Sequence, residues 1–148
     1  MTARLIPVTL LAFAALTLLA SASMASSSGT LPKRLEGTYK TTFTGKEVSS
    51  KPNAQPRPAG KYTLVLNGFQ ISWSEPIAGV NLTYAVLGAT GNRITLAADP
   101  NCPDTSHPVT NGVYTFRLIG KKLRFAKVRD SCGTRTVDLT AHAWTKTK

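Results

Sequence analysis

KYTLVLNGFQISWS, residues 61–74, is the stretch that decides the fold. Tyr62, Leu64 and Leu66 recur at every second position, and Phe69, Ile71 and Trp73 do so after a break, which is the period of a strand with one buried face. Between the two runs stands Asn67-Gly68, a pair that tolerates the positive φ angles of a type I′ turn. The segment therefore predicts two antiparallel strands, 61–66 and 69–74, joined by a tight hairpin.

The same pattern extends in both directions. Upstream, 34–44 predicts a first strand with Tyr39, Thr41 and Phe43 on one face, followed by a long loop, 45–60, in which Pro52, Pro56 and Pro58 forbid both helix and ladder. Downstream, strands at 81–87 and 93–98 flank Thr90-Gly91-Asn92. Past a Pro-rich loop at 99–111, strands at 113–119 and 122–128 flank Gly120-Lys121, with Tyr114, Phe116 and Leu118 facing Leu123 and Phe125. The stretch 134–145 predicts a last strand, with Arg135, Val137, Leu139 and Ala141 on one side. Eight short strands and no amphipathic helix after residue 25 make the chain all-β. An even number of sequentially paired strands closes on itself and removes exposed edges. The expected architecture is an eight-stranded antiparallel up-and-down barrel, with a β-sandwich as the competing arrangement. Such a barrel holds its own side chains or one small ligand.

The N-terminus has a different character. Arg4 is the one charge in residues 1–25, an uncharged Leu- and Ala-rich run extends from Leu5 to Ala20, and Ala20-Ser21-Ala22 and Ser23-Met24-Ala25 offer small residues at cleavage spacing, so 1–25 reads as a cleavable secretory signal. The run contains Pro7 and is short of the roughly 20 apolar residues that span a bilayer. The expected location is secreted or periplasmic. Residues 26–33 form a polar, flexible lead-in, and 34–148 a single domain. Export also gives the two cysteines a meaning: Cys102 and Cys132 are expected to pair in an oxidising compartment, since no Cys-x-x-Cys metal spacing is present.

The signal carries one of the 18 basic residues and none of the 7 acidic ones, which leaves 17 against 7, a net charge of +10, on the exported part. Such an excess attracts anionic polymers or an envelope surface, or only keeps the protein soluble. Export argues against nucleic acid. Lys121, Lys122, Arg124, Lys127 and Arg129 form the densest cluster and straddle the third hairpin. Chemistry has no comparable signal. His107 and His142 lack partners at metal or triad spacing, the acidic residues form no compelling catalytic pair, and no nucleotide, phosphate-loop or nucleophile-elbow motif occurs. No catalytic residue, metal or cofactor is expected. Of the aromatic residues, Tyr39, Trp73, Tyr84 and Tyr114, together with Arg135, are the candidate ligand-binding residues, because each places a polar tip within an apolar wall.

At Gly37-Thr38-Tyr39 in the first strand and Arg135 in the expected last strand, preceded by Asp130-Ser131-Cys132, the chain resembles the calycin group, the lipocalins and their small bacterial lipocalin-like relatives. The resemblance covers about residues 34–145. Lipocalins open with Gly-x-Trp, and an arginine of the last strand lies across that ring; here tyrosine stands in the tryptophan position. It implies that Arg135 crosses Tyr39 and that loop 45–60 covers the open end of the barrel. The expected function is that of a monomeric, non-catalytic exported barrel binding a small apolar or amphipathic ligand. The alternatives are a basic protein docking on an anionic polysaccharide or the cell envelope, and a small barrel enzyme of cyclase or isomerase type.

Overall fold

A computed structural model describes residues 29–48, 56–77, 80–100, 102 and 110–148. The expected signal segment, the middle of loop 45–60 and most of loop 99–111, with His107, lie outside the described residues. The strands are β1 (Gly37–Phe43), β2 (Gly60–Asn67), β3 (Gln70–Ser74), β4 (Asn81–Thr90), β5 (Arg93–Leu96), β6 (Gly112–Ile119), β7 (Lys122–Arg129) and β8 (Trp144–Lys146). Each pairs antiparallel with the next and β8 returns to β1, so the expected up-and-down barrel closes.

The inward faces follow the period-two pattern. Tyr39, Phe43, Tyr62, Leu64, Leu66, Ile71 and Trp73 are all buried, and each apolar side chain taken from water contributes roughly 1.5–3 kcal/mol. Phe69 departs from the expectation and is 63% exposed. Asn67 pairs with Gln70, so the turn consists of Gly68 and Phe69, one position later than expected. Gly68 takes the positive φ, +43°, and Phe69 is carried out of the ladder.

The expected last strand is the larger correction. Residues 134–145 do not form one strand: helix α1 (Gly133–Thr140) precedes a three-residue β8. The buried residues of α1 include Arg135, Asp138 and Leu139, three and four positions apart, which is one face of a helix. Two of these three are charged, so hydrophobic patterning could not show the face. The alternation of Val137, Leu139 and Ala141 mimicked a strand instead. Within the helix the Thr136 and Thr140 hydroxyls donate back to the carbonyls of Cys132 (3.0 Å) and Thr136 (2.8 Å), a local solution for threonines in a helix.

Antiparallel order places alternate connections at opposite ends. The two-residue turns 68–69, 91–92 and 120–121 share one end; the long connections 44–59, 75–80, 97–111 and 130–143 share the other. The turn end is closed by Leu31 from the expected lead-in, 26–33, and by Leu35, which was expected to lie in the first strand and instead precedes it. Leu31 is buried and its N–H donates to the Gly68 carbonyl (2.5 Å), a short 3₁₀ turn at Lys33–Leu35 buries Leu35, and the Tyr39 hydroxyl donates to the Leu35 carbonyl (2.8 Å). At the loop end Cys102 and Cys132 are joined by a disulfide that ties loop 97–111 to the start of α1. Among the described residues no helix is long and apolar enough to cross a membrane.

Candidate functional site

The loop end is built on two buried ion pairs. Arg135, fully buried on α1, donates through Nε (2.7 Å) and Nη2 (2.9 Å) to the two carboxylate oxygens of Asp130. Its Nη1 donates to the Ala97 carbonyl (2.6 Å) and Nη2 also reaches the Thr110 carbonyl (3.3 Å). Asp130 further accepts from the Tyr114 hydroxyl and the Cys132 N–H (2.8 Å). One guanidinium thus joins α1 to both ends of loop 97–111 and to the exit of β7. Space for it is made by Gly112: a Cβ there would lie 2.5 Å from Asp130 Oδ2 and 2.9 Å from Arg135 Nη2.

The second pair is Arg57 with Asp138. Arg57 Nε and Nη2 donate to Oδ1 and Oδ2 of Asp138, each at 2.6 Å, and the Tyr84 hydroxyl donates to Oδ2 at 3.4 Å. The Arg57 guanidinium lies 4.7 Å above the Trp73 ring, a cation–π contact. Its backbone is set by the mouth loop: the Arg57 N–H donates to the Glu47 carbonyl (2.8 Å). Glu47 anchors that loop in turn, accepting from the backbone N–H groups of Thr44 (2.9 Å), Gly45 (3.0 Å) and Lys46 (3.1 Å), while its Oε1 lies 2.5 Å from His142 Nε2. His142, which has no partner near it in sequence, finds one 95 residues away and packs edge-on against Phe43.

Burial pushes the Asp138 carboxyl up from 3.8 to about 6, against the pull of Arg57. Desolvation acts on Glu47 in the same direction but is outweighed by its bonds from Thr44 and His142, which hold it at about 2. Burial also raises the Tyr84 and Tyr114 phenols well above 10.0, so both act as hydrogen-bond donors at neutral pH.

Between the two arginines lies a pocket of about 170 Å³. Val80, Leu82 and Tyr84 form its apolar wall; Arg57, Asp99, Thr134 and Arg135, with Cys132, form the polar one. Arg57 Nη1 hydrogen-bonds no described residue, so its guanidinium borders the pocket with donors to spare. Beneath the Arg57 guanidinium, Trp73 Nε1 is buried without a hydrogen-bond partner among the described residues.

Tyr84 and Arg135, two of the five candidate residues, line this pocket, with the Arg135 guanidinium 5.4 Å from the Tyr84 ring. Tyr114 joins them through Asp130, and Trp73 through Arg57. Tyr39 does not: it lies at the turn end. The expected crossing of Tyr39 by Arg135 is corrected as well, because Arg135 stands on α1 and not on the last strand. Lys146 of β8 occupies that place, its Nζ 5.6 Å from the Tyr39 ring centroid. Arg57, Asp138 and Leu82 carried no sequence signal as site residues; the i, i+3 spacing of Arg135 and Asp138 was the one available hint. Among the described residues no three His, Cys, Asp or Glu side chains are grouped to hold a metal.

Compared with known proteins, the chain matches no family model, no curated protein and no solved structure.

Proposed function

We propose that this is an exported, non-catalytic barrel of lipocalin type that binds a small amphipathic molecule in the loop-end pocket. The observation that carries the reading is Arg57: it is immobilised by Asp138 and Trp73, yet keeps N–H donors that no described residue accepts, at the edge of a partly apolar pocket. A preorganised guanidinium loses little freedom on meeting an acceptor, and an apolar wall beside it favours a ligand with a polar end and a small apolar body. The pocket sets the size, since a cavity of about 150 Å³ accommodates benzene. Lys146 over Tyr39, a last-strand cation on the Gly-x-aromatic ring, supports the lipocalin-type reading, and the disulfide supports export.

Native mass spectrometry of the gently purified protein tests this. A small-molecule adduct is expected, and Thr134→Trp, which fills the pocket from α1, removes it while the far-ultraviolet spectrum stays that of the barrel. Benzoate and benzamide are expected to quench or shift the fluorescence of Trp73 and toluene to do so less, because it offers Arg57 no acceptor. Absence of an adduct, together with no response to any of the three compounds, sinks the proposal.

A further inference from the structure

The outer wall of the barrel carries an asymmetry that the pocket does not use. The eight strands contain nine Lys or Arg residues and not one Asp or Glu. The cations are confined to β1, β2 and β5–β8, while β3 and β4 have none. On β6 and β7 Arg117 and Arg124 stand directly opposite each other, both exposed. Like charges at directly opposed positions destabilise a sheet, and no strand acid relieves them. A wall selected only for solubility gains nothing from that pairing.

The band has a focus. β8 is only three residues long and meets β1 at two positions and β7 at two. Where β8 meets β1 and β7 lies a groove of about 440 Å³ lined by Lys40, Lys61 and Lys122, with Thr41, Thr42 and Thr145. All three lysines are exposed. Lys122 Nζ donates to the Thr145 hydroxyl (2.7 Å), which leaves it two further N–H donors, and the Thr41 hydroxyl donates to the Ala143 carbonyl (3.1 Å).

We infer that this groove is a docking site for a linear acidic polysaccharide, with the cations of β5–β7 drawing the chain along the wall. Three chemical features select that partner. Three ammonium groups around one groove match carboxylates repeated along a chain. Threonine hydroxyls and a carbonyl between them match sugar hydroxyls. Apart from the methyl of Ala143, the groove has no apolar side chain to enter a lipid layer and no aromatic ring on which a base could stack.

The test uses oligogalacturonate of defined length, titrated calorimetrically at a series of salt concentrations. The triple substitution Lys40→Gln, Lys61→Gln, Lys122→Gln is compared with Lys33→Gln, Lys46→Gln, Lys148→Gln, which removes the same net charge from exposed positions outside the groove. Expected is a loss of about tenfold or more in affinity for the groove triple, with a shallower salt dependence, against less than about threefold for the control. Unchanged binding by Thr134→Trp separates this site from the ligand pocket. Equal losses in both triples reduce the effect to net charge and overturn the proposal, as does no binding at low salt. Tighter, groove-dependent binding to phosphatidylglycerol vesicles or to single-stranded DNA overturns the choice of partner.

Discussion

The two buried ion pairs look alike, yet they are expected to respond oppositely when their carboxylates are neutralised. Asp130→Asn leaves Arg135 fully buried with no counter-charge, its partners reduced to one amide oxygen and the carbonyls of Ala97 and Thr110. An uncompensated buried charge of that kind costs about 3–5 kcal/mol. Asp138→Asn differs on two counts. The carboxyl it replaces is already held up at about 6 by burial, against 3.8 in the unfolded chain. At about 1.4 kcal/mol per pH unit, the neutral form recovers on the order of 3 kcal/mol at pH 7. That figure already contains the attraction of Arg57 for the carboxylate, so what stands against it is the poorer fit of an amide, whose NH2 group faces an Arg57 N–H donor, at about 1–3 kcal/mol, softened because the Arg57 side chain is 16% exposed and keeps the Trp73 ring beneath it. The two contributions nearly offset, so Asp138→Asn should change stability by less than about 1 kcal/mol. Urea unfolding at pH 7 with the disulfide intact measures both variants. If Asp138→Asn destabilises the protein as much as Asp130→Asn, the reasoning that burial dominates at Asp138 is wrong.

Three further outcomes are expected. Gly112→Ala forces a methyl group to 2.5 Å from Asp130 Oδ2 and 2.9 Å from Arg135 Nη2; with both side chains locked, the loss should be about 1–3 kcal/mol by urea unfolding, and a neutral result would show the pair to be yielding. Because the folded Asp138 carboxyl is raised above its unfolded value, its contribution is fully present below 3.8 and is lost as pH rises through about 6. Glu47, lowered from 4.5 to about 2, has the opposite sign: its contribution is present above 4.5 and is lost as pH falls toward 2. Asp138→Asn should flatten the first limb of a stability–pH curve and Glu47→Gln the second. Reduction of Cys102–Cys132, which closes a separation of 30 residues, should cost about 3 kcal/mol in thermal or urea unfolding; an unchanged midpoint would mean that the hydrogen bonds of Arg135 and Ser131 hold loop 97–111 without it.

Most of the barrel was legible because its strands are half-buried. Tyr62, Leu64 and Leu66 point inward at every second position, and the glycines at 68, 91 and 120 mark the tight turns. The hairpin at 67–68 was right in kind and wrong by one residue, since a turn pair and its neighbour differ little in sequence but send Phe69 to opposite surroundings. The site was less legible. Tyr84 and Arg135 were among the candidates for their amphipathic character, and both line the pocket. Arg57 was not: it lies in a Pro-flanked loop, and nothing near it in sequence marks it as half of a buried pair.

The residue order alone was sufficient for the first seven strands, their antiparallel hairpins and the disulfide, because period-two burial and turn chemistry are local and two cysteines have one way to pair; closure into a barrel and not a sandwich was decided by β8 returning to β1. Helix α1, the identity of the buried charges and the position of the pocket came from the assembled fold. Arg57 and Asp138 stand 81 residues apart, and a charge is stable in a low-dielectric interior only where its partner is brought to it. Residues 133–140 are helical despite their strand-like threonines and valine, because a helix is what presents Arg135, Asp138 and Leu139 to the barrel together.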